Sequence, residues 1–228
     1  MPWHKFWIWP WLQARMSLIF DHIIPAPLAD HAGAASFWRS RVEVNPGEHF
    51  AIIAASGRGK STLVNIAYGI RQDYTGHYLI NGKKAHTLKQ EEWALLRQDV
   101  FSCVFQDLKL FPTLTARQNI LLKTQLSGII DFSEAEDMAE RLGVKNLLDK
   151  PCGQLSMGQQ QRIAVVRALC QPFQYLFLDE PTSHLDKENA AALLNLVMEK
   201  AGQKGAAVFI TGLDQDYPLP ATFHHLMI

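Results

Sequence analysis

The chain has 228 residues, of which 48% are hydrophobic, so it is long enough for one globular unit with a full core and too short for several domains. Lysine and arginine together number 22 and balance 22 acidic residues. Bulk charge therefore gives no field that attracts nucleic acid, and we expect no nucleic-acid partner. The three cysteines have no paired spacing and no histidine cluster beside them, which gives little support to a disulfide framework or a zinc site.

The first fifteen residues differ from the rest of the chain because they are crowded with tryptophan. One interpretation is an anchor at a membrane interface, where tryptophan is favoured. We favour an N-terminal extension over residues 1–16, either disordered or an artefact of a start site that belongs at Met16, because Pro10 interrupts a helix there. Residues 17–228 then form one domain. The sequence has no run of about eighteen apolar residues, so we do not expect the chain to span a bilayer by itself.

Apolar periodicity and turn residues predict alternating strands and helices over the rest of the chain. The predicted strands are Val42 to Val44, Phe50 to Ala54, Tyr78 to Ile80, Tyr175 to Leu178, Ala207 to Thr211 and Phe223 to Ile228. The predicted helices are Lys60 to Tyr68, Gln90 to Gln98, Thr115 to Leu126, Ser133 to Leu142, Gly158 to Cys170 and Lys187 to Lys200. Asn81-Gly82 indicates a hairpin in a small antiparallel layer, and Ser133 with Glu136 forms a predicted capping box. Helices dominate residues 107–155, which we predict to be an insert into an α/β core.

A glycine-rich segment connects the strand ending at Ala54 to the helix beginning at Lys60. Backbone amides in such a loop, at the start of a helix, cradle phosphate oxygens. The lysine of this pattern reaches the β and γ phosphates, and the hydroxyl of Ser61 ligates magnesium. The alternative is a fortuitous glycine turn. The predicted nucleotide-binding residues are Ser56, Gly57, Arg58, Gly59, Lys60, Ser61 and Thr62.

An acidic pair, Asp179 and Glu180, follows the apolar strand Tyr175 to Leu178. Ligands of open α/β sheets bind at the carboxyl ends of the strands, so we expect both carboxylates to face the glycine-rich loop. The alternative is that the two residues simply begin a solvated turn before Pro181. The presence of Lys60 upstream favours the first interpretation.

A third segment reads Leu155-Ser156-Met157-Gly158-Gln159-Gln160-Gln161-Arg162. With the glycine-rich loop and the acidic strand end in this order, the chain resembles the nucleotide-binding subunit of ATP-binding cassette (ABC) transporters over roughly residues 17–228. The resemblance implies a P-loop NTPase core of α/β class with a small antiparallel β layer and an inserted helical subdomain. It also implies ATP and Mg²⁺ as cofactors. The implied partners are a second ABC ATPase subunit, identical or different, and a transmembrane permease subunit, with the chain on the cytoplasmic face of the membrane.

The same resemblance assigns roles to individual residues. Glu180 acts as the general base for the attacking water, Gln106 touches magnesium and water, and Asp179 and Ser61 hold the metal. Ser156 caps a helix and meets, with Gly158 and Gln159, the nucleotide held by a second subunit. His31 falls where the family stacks an aromatic ring on adenine, although a histidine in such a loop is more often simply exposed.

Three residues depart from the family pattern. Ala54 and Met157 each replace a glycine. At Ala54, in a turn that needs an unusual dihedral angle, the added methyl group either strains the loop or is absorbed by it. At Met157 we expect the side chain to crowd the facing nucleotide. Leu213 stands where the family has a histidine that contacts the γ phosphate. We therefore predict slow hydrolysis, since the loss of one positioned donor costs on the order of 3 kcal/mol. The alternative is a heterodimer in which the other subunit supplies the histidine.

The stretch from Phe105 to Ala116 resembles ATPases of lipoprotein release, macrolide export and cell division. Within it, Leu110, Phe111 and Pro112 either dock a permease helix or pack the insert's own core. The function that we expect is the energising ATPase of a membrane complex. A catalytically weak regulatory subunit and an ABC protein that serves no transporter are the two alternatives.

Overall fold

The computed structural model of the chain describes residues 15–29, 37–55, 57–127, 131–212 and 222–228. Their strands form two sheets. The strands are β1 (Leu18–Pro25), β2 (Arg41–Val44), β3 (His49–Ile53), β4 (Tyr74–Ile80), β5 (Lys83–Lys84), β6 (Phe101–Val104), β7 (Tyr175–Leu178), β8 (Ala207–Thr211) and β9 (Phe223–Met227). The α-helices are α1 (Lys60–Ala67), α2 (Gln90–Asp99), α3 (Ala116–Ser127), α4 (Phe132–Arg141), α5 (Met157–Leu169) and α6 (Lys187–Lys204).

The smaller sheet is antiparallel in the order β2-β1-β4-β5. Its hairpin turns at Asn81 and Gly82, whose φ angles of 50° and 78° are both left-handed, as a two-residue hairpin loop requires. The predicted antiparallel layer is thus confirmed, and β1 lies at its centre.

The larger sheet has the order β6-β7-β8-β3-β9, and its strands pair in parallel. Its inner strands β7 and β8 are buried along their whole length, as expected for a sheet covered on both faces. The carboxyl ends of parallel strands meet at one edge, so the segments that follow Ile53, Val104, Leu178 and Thr211 come together there. The predicted α/β core is confirmed.

Each predicted helix differs from the observed one at one or both ends, and two of these differences have a clear physical reason. The N-cap of α4 is Asp131, whose side chain accepts a hydrogen bond from the Ser133 amide, so the predicted capping box at Ser133 and Glu136 is wrong. A carboxylate caps a helix at least as well as a hydroxyl does, and its negative charge also interacts favourably with the positive end of the helix dipole. Helix α6 continues past Lys200 to Lys204 and ends at Gly205, which adopts the left-handed C-cap conformation.

The two sheets are joined through Tyr175 on β7. Its hydroxyl is buried and lies within hydrogen-bond distance of the backbone carbonyls of Met16 and Val44. Met16 is buried and belongs to a hydrophobic core cluster. Among the helices of the described residues, we find none with the length and apolarity that crossing a bilayer requires.

Candidate functional site

The glycine-rich loop runs from the end of β3 into α1, as the sequence predicts. The Lys60 ammonium folds back along the loop and donates to the backbone carbonyl of Ala54 at 2.9 Å. Gly59 precedes the helix with a φ of 102°. A Cβ atom at Gly59 would lie 2.5 Å from Leu28 Cδ1 and 3.0 Å from Trp38 Cζ2, so both the dihedral angle and the lack of space require glycine.

Ala54 does not have the unusual dihedral angle that we expected. Among the described residues, five non-glycine residues have a positive φ, and Ala54 is not one of them. Of the two alternatives for this residue, the structure favours the second: the loop absorbs the methyl group, because Ala54 has no positive φ. The part of Ala54 that the loop uses is its carbonyl oxygen, which any residue would supply.

The acidic pair at the end of β7 is not a solvated turn. The Asp179 side chain is only 3% exposed, and its Oδ1 accepts a 2.7 Å hydrogen bond from the Thr211 hydroxyl at the end of β8. The same hydroxyl oxygen accepts from the Glu180 backbone N–H at 3.1 Å. Glu180 itself has a φ of 51°, an uncommon value for a residue with a side chain.

Three predicted site residues meet at this edge of the sheet. The Glu180 carboxylate lies 4.0 Å from the Lys60 ammonium, and its other oxygen accepts a 3.2 Å hydrogen bond from the Gln106 amide. These contacts connect segments that follow three different strands. The cleft around them is lined by Pro27, Leu28, Gly57, Gly59, Lys60, Ser61, Thr62, Gln106 and Glu180.

An adjoining part of the cleft brings Ser61 and Gln106 together with Asp179. A buried carboxylate without a cationic partner is costly, and among the described residues Asp179 takes part in no ion pair within 4.0 Å. Carboxylate, hydroxyl and amide oxygens are the ligands that a hard cation such as Mg²⁺ prefers. The residues present therefore fit a magnesium ion next to the phosphate loop.

The remaining residues predicted for the loop and the adenine have different outcomes. The exposed Arg58 is not among the residues that line the cleft, and its backbone amide donates to the Ala55 carbonyl at 3.4 Å. Ser56, His31 and Leu213 lie outside the described residues. The stacking of His31 on adenine and the slow hydrolysis expected from Leu213 thus stay predictions.

Ser156 is the N-cap of α5, as predicted. Its hydroxyl accepts from the Gln159 amide at 3.3 Å, and the Gln159 side chain accepts from the Ser156 amide at 3.0 Å, which completes a capping box. Met157 begins the helix and is 45% exposed, while Gly158 lies against the backbone carbonyl of His184. None of these residues is among those that line the cleft of the same chain.

The segment after Gln106 is held by a buried arginine. Arg167 on α5 donates to the carbonyls of Leu108 and Lys109 at 2.7 Å each, and both of these residues have a positive φ. Burial lowers the pKa of the Arg167 guanidinium. These bonds fix the start of the segment, so the position of Gln106 is coupled to α5.

The next three residues divide between half-buried and exposed positions, so only Leu110 packs the core and the docking of a permease helix stays a prediction. Leu110 is half-buried against the larger core cluster, whereas Phe111 is 55% exposed and Pro112 is exposed. The buried side chain of Asn119 donates to the Phe111 carbonyl at 3.0 Å and accepts from its amide at 2.9 Å. Phe111 is thus presented to solvent on a fixed backbone.

Sequence reasoning missed several residues of the site. Pro27 and Leu28 line the cleft, and no sequence motif marks them. In the sequence Thr211 is only the last residue of a predicted strand, although in the structure it hydrogen-bonds to both acidic residues. Gln161 was noted only as a match to the family segment. Its side chain reaches the Glu180 carbonyl at 2.8 Å.

Comparison with known proteins agrees with this geometry. The sequence profile of the ABC transporter family matches residues 39–183, which is more than half of the chain. The chain belongs to the ABC transporter family. This match confirms the resemblance that the three motifs indicated. ATP is therefore the nucleotide that we expect this ABC protein to bind.

Two relatives fall in the subgroup that the sequence indicated. The lipoprotein-releasing system ATP-binding protein LolD of Saccharophagus degradans is 33% identical over 165 residues, which are 71% of this chain and 72% of that protein. The macrolide export ATP-binding/permease protein MacB of Marinobacter nauticus is 37% identical over 173 residues, 75% of this chain. The ABC chain matches only 27% of the length of MacB.

A solved structure has the same fold. The dimeric bacterial ABC transporter cassette MJ0796 superposes with a TM-score of 0.76 over 92% of this chain and 94% of that one, at 24% identity. The predicted P-loop NTPase core with its antiparallel layer and helical subdomain is therefore confirmed.

Proposed function

We propose that this ABC protein binds and hydrolyses ATP, dimerises on it with a second cassette subunit, and powers a separate membrane permease. The observation that carries the proposal is the meeting of Lys60, Gln106 and Glu180 at the glycine-rich loop. Phosphoryl transfer to water needs a cation that binds the phosphates and a carboxylate that activates the water, and this cleft has both.

Phosphate binding falls to the loop and the start of α1. Gly57, Gly59 and the first turn of α1 line the cleft, and free amides at the positive end of a helix stabilise phosphate oxygens. Lys60 exchanges its contact with the Ala54 carbonyl for the β and γ phosphates. The apolar side chains of Pro27 and Leu28 border the cleft beside the loop and offer a surface for the base.

Hydrolysis requires a base beside the γ phosphate. Glu180 accepts the proton as a water oxygen attacks the γ phosphorus, the bond from phosphorus to the β,γ-bridging oxygen breaks, and ADP and inorganic phosphate leave. Gln106, within 3.2 Å of Glu180, orients that water. Ser61, Asp179 and Gln106 would hold a magnesium ion, which would neutralise charge on the phosphates.

The start of α5 supports a role for a second subunit. Ser156, Gly158 and Gln159 are not among the residues that line the cleft of their own chain, and the free amides of a helix start attract phosphate. We propose that they close the ATP site of a partner cassette. The related cassette MJ0796 is described as dimeric, which is in line with this arrangement.

The membrane partner is inferred from two features. The relatives LolD and MacB are named for lipoprotein release and macrolide export, so the permease that we propose serves an export or release process at the inner face of the membrane. The exposed Phe111 and Pro112 offer a fixed apolar surface for a permease helix.

The first test is ATP turnover of the purified chain compared with Glu180→Gln. Removal of a general base lowers kcat by about 10²- to 10⁴-fold. ATP affinity should be retained, because the variant keeps the loop and Lys60. Glu91→Gln, an exposed acid on α2, is the matched control and should keep the parent rate. Equal rates for the parent and Glu180→Gln would refute the catalytic role.

One observation favours a weakly catalytic regulatory subunit as the second candidate. The residue that follows β8 and lies against Glu180 is Gly212, which has no side chain to contact a phosphate. A parent that binds ATP with a turnover no faster than Glu180→Gln would favour this candidate.

The membrane partner is tested by extracting the tagged chain from its own cell membranes in mild detergent and identifying what copurifies by mass spectrometry. A multi-span protein with a large extracytoplasmic region supports the export or release proposal. A second, different cassette supports the heterodimer. Recovery without any membrane protein would contradict the transport role and favour an ABC protein that serves no transporter.

A further inference from the structure

The backbone of Glu180 has a conformation that is intrinsically unfavourable for this residue type. Its φ of 51° lies in the left-handed region, which is unfavourable for residues with a Cβ atom. Such residues persist when surrounding groups hold them in place. The contacts of Glu180 therefore show which residues do so.

The backbone N–H of Glu180 is held by one neighbour and its carbonyl by two. The N–H donates to the Thr211 hydroxyl at 3.1 Å. The carbonyl accepts from the Gln161 side-chain amide at 2.8 Å and from the Ser183 hydroxyl at 3.1 Å. Ser183 is exposed and belongs to the same turn, whereas Gln161 reaches the carbonyl from α5.

Gln161 uses both ends of its side chain on this turn. It is 2% exposed, and while its nitrogen donates to the Glu180 carbonyl, its oxygen accepts from the His184 backbone N–H at 3.2 Å. An amide that donates to one backbone group and accepts from another sets the distance between them. The turn from Glu180 to His184 is thus clamped at its two ends by one buried side chain.

The conformation of the turn decides where the carboxylate points. Gly212 packs so closely against the Glu180 side chain that a Cβ atom at Gly212 would lie 2.5 Å from Glu180 Cγ. With the backbone clamped and this face occupied, the carboxylate is directed at Gln106 and Lys60. A change of φ would move its oxygens away from both.

We propose that Gln161 is a positioning residue that holds Glu180 in its left-handed conformation and so aims the catalytic carboxylate at the phosphate loop. The inference rests on the proposed role of Glu180 as general base. It also couples the site to α5, because Gln161 lies on this helix, whose N-cap is Ser156.

The test replaces Gln161 with methionine, which has nearly the same length and cannot make either hydrogen bond. The matched control is Gln171→Met. Gln171 is also 2% exposed, and its side chain donates to the Arg97 and Phe101 carbonyls at 3.1 and 2.7 Å, outside the residues that line the cleft. Both variants lose comparable buried hydrogen bonds, so any general loss of stability appears in both.

We expect Gln161→Met to lower kcat by about 10- to 100-fold, as misplacement of a catalytic group does. The Kd for ATP should stay within about threefold of the parent, because the loop and Lys60 are untouched. Gln171→Met should keep the parent kcat. A parent-like kcat in folded Gln161→Met would overturn the proposal, and so would an equal loss of kcat in both variants.

Two further measurements keep the result decisive. If Gln161→Met does not fold, Gln161→Glu preserves the size and the acceptor for the His184 N–H but, when ionised, cannot donate to the Glu180 carbonyl, and we expect the same fall in kcat. A crystal structure of the variant should show Glu180 outside the left-handed region, whereas a φ still near the parent value would overturn the proposal even if the parent proves inactive. Parent turnover equal to that of Glu180→Gln would instead refute the proposed function.

Discussion

Ala54 and Met157 both carry a side chain where the ABC family has glycine, yet their surroundings differ. At Ala54 the loop uses only the backbone, because the Ala54 carbonyl accepts a hydrogen bond from the Lys60 ammonium and the φ of Ala54 is not positive. At Met157 the side chain itself is 45% exposed at the start of α5, where we propose that a partner's nucleotide binds. A departure from a motif therefore matters according to whether the site uses the backbone or the space beside it.

The largest effect is expected where the loop does need a glycine. Gly59→Ala forces a Cβ atom into Leu28 and Trp38 and strains a positive φ, so the amides of the loop must shift. We expect the Kd for ATP to rise about 100-fold, or about 2.7 kcal/mol, in a calorimetric titration. Gly57→Ala is the control, because it has a positive φ with open space around it and should lose less affinity. Equal losses in the two variants would show that space is not the limiting factor.

An intermediate effect is expected at the start of α5. Met157→Gly removes the side chain that we expect to crowd the facing nucleotide, so ATP-dependent dimerisation should tighten about tenfold in a Glu180→Gln background, measured by analytical ultracentrifugation. Glycine in a helix should at the same time lower the free energy of unfolding by about 1 kcal/mol. Dimerisation that stays the same or weakens would place the methionine outside the interface.

The smallest effect is expected at Ala54. Ala54→Gly restores the family residue but leaves the carbonyl that Lys60 contacts, so the Kd for ATP should change by less than about twofold. The greater freedom of glycine in the unfolded chain should lower the free energy of unfolding by about 0.5–1 kcal/mol, measured by urea denaturation. A gain of several-fold in ATP affinity would mean that the methyl group does strain the loop.

Most of the fold was predictable because its signals are local. The strand before Asp179 is a short run of buried residues, and the turn at Asn81-Gly82 requires two left-handed residues. The end of α6 was predicted four residues early, at Lys200, although Gly205 is a local signal for it. The cap at Asp131 was missed because Ser133 offers a similar pattern two residues later. Sequence alone does not rank two neighbouring caps.

The sequence by itself determined the family and predicted the main residues of the candidate site, since the loop through Lys60, the segment from Ser156 and the pair Asp179-Glu180 are contiguous motifs in a fixed order. Only the tertiary structure decided how they are held. The bonds from Thr211 to Asp179 and from Gln161 to Glu180 span 32 and 19 residues. Hydrogen bonds of this kind depend on where strands and helices bring distant side chains and backbone groups within about 3 Å, and that distance is set by packing rather than by any local pattern.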